Sequence, residues 1–193
     1  MSDSWEQLKA ECMQCRKCQL GATRNQLVFG VGNQHARILF VGEGPGEQED
    51  IQGEPFVGAA GMLLDDMLRI IDLDRTKNCY IANIVKCRPP RNRDPLDEEQ
   101  IACEEFLAQQ IRFLQPQILV CLGRIAAKKL IDSEYRITAQ HGGWVKKSMY
   151  GVENIEMTAI YHPSALLRDV SKRPETFADI LSIRSKMKEL GLF

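Results

Sequence analysis

The sequence predicts an α/β protein, a three-layer α/β/α sandwich around a four-stranded, mostly parallel sheet. Three observations carry this. Four short segments are nearly continuous in apolar and β-branched residues, the signature of strands buried on both faces. Patterns with helical periodicity separate them. No linker or composition shift divides the 193 residues, so one domain over 1–193 is expected.

The four strands are "RILFVG" (37–42), "YIANIV" (80–85), "QILVCLG" (117–123) and "EMTAIY" (156–161). Between the first two, "AAGMLLDDMLRIIDL" places Met62, Leu63, Met67, Ile70 and Ile71 on one stripe. "PLDEEQIACEEFLAQQIRFL" does the same with Ile101, Phe106, Ile111 and Leu114. Asp94 is its expected cap, Pro95 its first helical residue, and acids fill its first turn. "GRIAAKKLI" and "ETFADILSIRSKMKELG" supply two more helices, and 132–155, with "QHGGWV", reads as a short hairpin or loop excursion. In such folds ligands bind at the carboxyl ends of the strands. That rule selects "GEGPGEQED", "NIVKCRPPRNRDP", "GRIAAKK" and "YHPSALLRD".

Composition excludes some classes. The net charge of −1 argues against a protein that coats nucleic acid nonspecifically. Local basic loops nevertheless suit a few phosphate contacts: Lys86, Arg88, Arg91 and Arg93 in one, Arg168, Lys172 and Arg173 in another. No apolar run approaches a membrane span, and "MSDSWEQLKAEC" lacks a signal-peptide pattern, so the expected compartment is the cytoplasm.

Seven cysteines in a reducing compartment point to metal or cluster binding rather than disulfides. Cys79 and Cys121 fall in or beside apolar strands and read as small buried hydrophobes. Cys12, Cys15, Cys18, Cys87 and Cys103 remain, five candidates for a four-thiolate site that suits zinc or an iron–sulfur centre.

The loops divide by chemistry. "GEGPGEQED" stands where a phosphate cradle would lie, but Glu43, Glu47, Glu49 and Asp50 repel a pyrophosphate and Pro45 lacks an N–H. Its glycines admit close approach by something neutral or cationic. His162, held extended before Pro163, suits hydrogen-bond donation to a ligand carrying negative charge. Leu166 and Leu167 beside Arg168 suit a wedge into a base stack. Taken singly, each has an ordinary structural reading.

Together they closely resemble the family 4 uracil-DNA glycosylases, the iron–sulfur branch of that superfamily. The resemblance rests on "CRKC" (15–18), "VGEGPGEQED" (41–50), "PFVGAAGMLLD" (55–65), "YIANIVKCRPPRNRDP" (80–95), Cys103 and "YHPSALLR" (161–168). It implies a uracil-DNA glycosylase-like fold and a 4Fe–4S cluster on Cys15, Cys18, Cys87 and Cys103, with Cys12 left as a spare. It further implies flipping of uracil out of single-stranded or duplex DNA and hydrolysis of its N-glycosidic bond, the first step of base-excision repair, by a monomer.

Carried onto this sequence, the family's stacking residue is Phe56 and its base reader Asn83, whose amide can accept from uracil N3–H while donating to O4. His162 donates to uracil O2, and Glu49 lies near C5 to exclude thymine. Arg88, Arg91, Arg93, Ser164, Leu166, Leu167 and Arg168 are the expected DNA contacts. Gly44 stands where the family 1 enzymes carry a water-orienting aspartate, and Glu43 is the candidate electrostatic support for the sugar cation. "CRPPRNRDP" has no histidine, so covalent capture of DNA, known in a related branch, is not expected. The rival expectations are a catalytically silent uracil- or DNA-binding protein on the same fold and a small iron–sulfur oxidoreductase.

Overall fold

The computed structural model of the protein describes residues 2–192. In chain order the elements are α1 (Trp5–Met13), α2 (Leu20–Thr23), β1 (Val31–Gly32), β2 (Ile38–Gly42), α3 (Glu47–Gln52), α4 (Ala59–Ile70), β3 (Tyr80–Asn83), α5 (Asp97–Leu114), β4 (Ile118–Leu122), α6 (Arg124–Leu130), α7 (Ile137–Gln140), β5 (Trp144–Met149), β6 (Val152–Ile160), α8 (Pro163–Arg168) and α9 (Arg173–Glu189).

The sheet has the order β1-β3-β2-β4-β6-β5, with β3, β2, β4 and β6 mutually parallel. These are the four strands read from the sequence. Two antiparallel edge strands correct the expected count to six. β1 is only two residues long. β5 runs Trp144–Met149, every residue half-exposed or exposed, and no continuous apolar run announces it. The β5–β6 turn is Tyr150-Gly151, both at positive φ, which matches the twist of a two-residue hairpin.

The parallel strands divide their side chains between two cores. Leu39, Val41, Ala82, Leu119, Cys121 and Met157 face α1, α5 and α6, packing with Leu8, Phe106, Ile111 and Ala126. Ile38, Phe40, Ile81, Val120 and Ile160 face α4, α8 and α9, packing with Leu64, Leu68, Leu166 and Ile183. Trp5 meets Phe29 and Tyr80 edge-on at 5.5 and 5.2 Å, which fixes α1 and thereby the cysteine segment that follows it.

Three details differ from the sequence reading. On α4 the buried residues are Gly61, Leu64, Met67 and Leu68; Met62 is 63% exposed and Ile70 also faces out. On α5, Phe106, Ile111 and Leu114 are buried but Ile101 is 67% exposed. That helix starts at Asp97 rather than Pro95. The Glu99 carboxylate accepts from Leu96 N at 2.8 Å, so an acid inside the first turn caps the helix and Asp94 does not. Among the described residues no helix is long and apolar enough to cross a membrane.

Candidate active site

The carboxyl ends of the parallel strands open into one groove. β2 delivers Glu43 and Gly44, β3 delivers Asn83, β4 delivers Gly123, and β6 delivers Tyr161 and His162. Glu49, Phe56, Arg93, Ser164 and Arg168 line the same groove.

Asn83 is buried at the last position of β3, in register with Gly42. A Cβ on Gly42 would approach Asn83 Oδ1 to 2.5 Å and the Phe56 ring to 2.7 Å, so a glycine there lets amide and ring share one pocket. Oδ1 has no hydrogen-bond partner among the described residues. A buried acceptor left unpaired costs about 1–3 kcal/mol. Such an atom is satisfied by a ligand that brings a donor.

Phe56 stands at φ +54°, a left-handed conformation that costs a bulky residue about 1–3 kcal/mol. Arg75, which the sequence reading missed, holds it there. Its guanidinium donates to Phe56 O at 2.7 Å and Pro55 O at 2.9 Å while Nε donates to Asp65 Oδ1 at 2.7 Å. Gly61 completes the clamp, because a Cβ there would lie 1.8 Å from Phe56 O. Glu49 braces the same turn: Oε1 accepts from Val57 N at 2.9 Å and Gly58 N at 3.0 Å, at the start of α4. The Phe56 and His162 rings lie 5.5 Å apart at a tilt of 31°.

His162 Nδ1 accepts from Ser164 N at 3.1 Å and lies 2.8 Å from Ser164 Oγ. An N–H donor on Nδ1 leaves the ring proton on Nε2. Burial, assisted by Arg168, pulls the imidazole down to about 4, so near neutral pH it is an uncharged Nε2–H donor. Gly123, at φ +92°, leaves room for it; a Cβ would meet His162 Cβ at 2.8 Å. Ser164 therefore orients the histidine while also lining the groove. Glu43 is the converse case. Burial, and then Asp94, push its carboxyl up to about 7 against the opposing pull of Arg124 and Arg168.

The remaining expected DNA contacts sort by exposure. Leu167 is 41% exposed, whereas Leu166 is 2% exposed and belongs to the core under α8, so it cannot be an extended wedge. Arg93 is committed to Glu99 through two bonds of 2.8 and 2.6 Å. Arg88 is not itself in the groove lining, but it pairs with Glu47 at 3.5 Å and donates to Asn92 at 2.7 Å, both of which line it. Arg91 is exposed on a 3₁₀ turn at φ +56°. Arg124, paired with Asp94 at 2.5 Å, and Lys172 also line the groove. The sequence reading selects its segment, "GRIAAKK", as a ligand-facing strand end but assigns Arg124 no role of its own.

A second, much smaller cavity is lined by Cys15, Cys18, Cys87 and Cys103. All seven cysteines are free thiols, and Cys12 is fully buried outside this lining. Main-chain N–H groups donate to two of the four sulfurs, Lys86 N to Cys103 at 3.3 Å and Lys17 N to Cys15 at 3.5 Å, and Arg24 donates to Cys87 at 3.1 Å. Burial pushes the Cys103 thiol up to about 11 and Cys87 upward, so a metal centre bonded there displaces their protons. Among the described residues no three His, Cys, Asp or Glu side chains converge as they would on one ion. Four thiols spaced around a cavity, with N–H donors aimed at sulfur, fit a larger thiolate-bound centre. Lys86, also in this lining, is wholly buried. Burial pulls its ammonium below the ordinary lysine range, opposed by the sulfurs of Cys103, Cys12 and Cys87.

Comparison with known proteins agrees with this geometry. Residues 29–183 match the family model described as the uracil DNA glycosylase superfamily. The chain is 45% identical to a type-4 uracil-DNA glycosylase of Archaeoglobus fulgidus over 188 residues, which cover 94% of this chain and 92% of the relative. It is 43% identical to that of Sulfurisphaera tokodaii, with coverage of 94% and 84%. The type-4 uracil-DNA glycosylase of Thermotoga maritima is 43% identical, with coverage of 92% and 91%. With strands and groove falling within the family match and most of the chain shared with these relatives, the chain belongs to the uracil DNA glycosylase superfamily, among its type-4 members.

Proposed function

We propose that the protein is a monofunctional uracil-DNA glycosylase that flips uracil from DNA and hydrolyses its N-glycosidic bond, leaving an abasic site for base-excision repair. The observation that carries this is the orphaned Oδ1 of Asn83, buried beside Phe56 and His162. Uracil N3–H supplies the missing donor, and cytosine, with a lone pair at N3, does not.

Flipping costs about a few kcal/mol of unstacking and pairing. Leu167 occupies the space left behind, and Arg91, Arg124, Arg168 and Lys172 hold phosphates. The flipped base stacks on Phe56, whose conformation Arg75 has already fixed, so little ordering remains at binding. As the bond from N1 to C1′ lengthens, negative charge collects on the base and positive charge on the sugar. The neutral His162 donates from Nε2 to O2 and stabilises the leaving anion. Ionised Glu43 faces the sugar cation. Water is admitted at Gly44, where no side chain crowds C1′. Glu49 acts through the main chain it braces as well as by bulk near C5.

Cys15, Cys18, Cys87 and Cys103 hold a 4Fe–4S cluster, whose contribution is to clasp the N-terminal segment to the loop after β3. The whole chain then works as one domain, a cytoplasmic monomer acting on uracil in single-stranded or duplex DNA. Incubation of the iron-loaded protein with single-stranded and U·G duplex DNA, followed by alkali, should give cleavage at uracil alone. Tight binding without alkali-labile sites would instead mark a silent binding protein. Asn83→Asp should change base choice or abolish excision; unchanged uracil preference would refute its role as reader.

A further inference from the structure

Lys86 is the most costly residue in the fold to bury, and nothing in the uracil chemistry uses it. It is 0% exposed. Its side chain folds back so that Nζ donates to Asn83 O at 3.0 Å and to Gln110 Oε1 at 2.6 Å. Gln110, itself fully buried, is held by donation from Nε2 to Phe29 O at 2.9 Å. Its own main chain is pinned on both sides, by N–H donation to Cys103 Sγ at 3.3 Å and by Lys86 O accepting from Val28 N at 2.8 Å.

Both acceptors at the ammonium are neutral. Among the described residues no carboxylate pairs with it, and Glu99, the buried acid on the same helix as Gln110, is already taken by Arg93. Lysine is almost never fully buried unless paired, and an uncompensated buried ion costs several kcal/mol. The groups able to supply the missing negative charge are sulfurs. Lys86 lines the cavity of Cys15, Cys18, Cys87 and Cys103, and a thiol bonded to a metal centre is deprotonated outright.

We propose that Lys86 is the counter-charge of the thiolate centre and, through the Asn83 carbonyl, a positioning residue for the uracil reader. One ammonium therefore joins the two sites. This rests on reading the cysteine cavity as a cluster site and Asn83 as reader. Bound thiolates hold the ammonium inward, where it fixes the last carbonyl of β3. Without them the ammonium lacks an anion, moves toward water, and frees the strand end that carries the reading amide. Loss of the cluster then impairs base reading before it unfolds the protein.

The test uses the full chain, wild type and Lys86→Met, a swap that keeps length and flexibility. Wild type must first retain iron with absorption near 400 nm; iron-free protein would overturn the cluster reading itself, separately from Lys86. Under excess iron chelator, Lys86→Met should bleach about 10- to 100-fold faster, the usual effect of losing an outer partner of a metal ligand. Iron-free Lys86→Met should melt at or above iron-free wild type, because the wild-type ammonium can reach water only by loosening the end of β3, and the variant has no charge that must leave. The loaded variant should lose kcat on uracil while binding DNA as before. Equal bleaching rates, or an iron-free variant that melts well below iron-free wild type, would make Lys86 an ordinary packing residue. Amine-reactive labelling of wild type gives a second readout should the variant not fold. Lys86 should be protected in loaded protein and labelled in iron-free protein that keeps its circular dichroism; equal protection in both overturns the coupling.

Discussion

Glu43→Gln replaces an ionisable group with an isosteric neutral one at the end of β2, and its effect follows from burial. The carboxyl titrates near 7 in the fold against 4.5 in an exposed glutamate. Holding it ionised in the folded state therefore costs about 3 kcal/mol relative to the unfolded chain. The sign is that of an acid whose pKa rises on folding. Between pH 4.5 and about 7 the native state holds a proton that the unfolded chain has lost. Stability falls as pH rises through that window. Glu43→Gln removes the slope, so the variant should match wild type near pH 4.5 and exceed it by up to about 3 kcal/mol at pH 8. His162, lowered to about 4, slopes the opposite way, so the difference between the two proteins is the quantity to measure. Chemical denaturation of both, iron-loaded, from pH 5.5 to 8 gives it. Single-turnover excision supplies the functional half. Wild-type rate should climb about tenfold per pH unit below 6 and level off above 7, since only the ionised carboxylate supports the sugar cation. The variant should be slow and flat. A variant no more stable than wild type at pH 8 would refute the burial argument. A wild-type rate independent of pH across the window would refute the role of the carboxylate.

Further outcomes are expected. His162→Gln should lower kcat by about 10²–10³, the usual loss of one oxyanion donor, with DNA affinity unchanged in a binding assay; equal losses in both would move His162 to positioning. Leu166→Ala should cost about 2–5 kcal/mol of stability by opening a core cavity, measured by denaturant unfolding. Leu167→Ala should leave stability alone and slow excision from duplex more than from single-stranded DNA. Cys12→Ala should retain iron, and Cys15→Ala should lose it, read by iron content and absorption near 400 nm.

The four parallel strands were legible because each is apolar on both faces, a pattern that survives without its neighbours. β1 and β5 were not. A two-residue edge has no periodicity, and β5 carries Lys146 and Lys147 on an exposed edge where a charged residue is favoured. Ile101 and Met62 were placed inward because periodicity alone allots every apolar residue to the buried stripe, whereas the packing neighbours decide which turn lies over the sheet. Site residues quoted from the strand ends fell into one groove, since the sheet itself converges them. Residues that act through main chain were invisible. Arg75 grips two carbonyls twenty residues back, and Lys86 grips the carbonyl of Asn83. Nothing in an arginine or lysine codon reveals that its partner is a backbone oxygen. The pair Leu166 and Leu167 marks the same boundary: adjacent identical side chains point to opposite sides of a helix start, and only the core beneath α8 chooses between them.

Burial moves the two titratable groups at the proposed reaction centre to opposite sides of their ordinary values, and this assigns their tasks. An acid and a base placed in the same desolvated groove both resist charge. His162 goes down to about 4 and Glu43 up to about 7. Near neutral pH the histidine is thus a dipole with its proton on Nε2, and the carboxylate is balanced at the edge of ionisation. A charged imidazolium would bind the leaving anion more strongly, but it would also repel Arg168 and the sugar cation a few bonds away. The neutral donor avoids that repulsion, and the proton assignment is enforced locally by the N–H of Ser164. Glu43 needs the opposite help. Arg124 and Arg168 already favour its anion, and positive charge growing on the sugar adds to them at the moment of bond breaking. The carboxylate therefore gains most of its stabilisation in the transition state rather than in the resting groove, which is the condition for an electrostatic contribution to raise kcat. On this account a lysine at position 124 should preserve the pH limb of excision, while Arg124→Glu should push Glu43 further up and move that limb to higher pH. A limb that stays in place in Arg124→Glu would show that Glu43 does not set it.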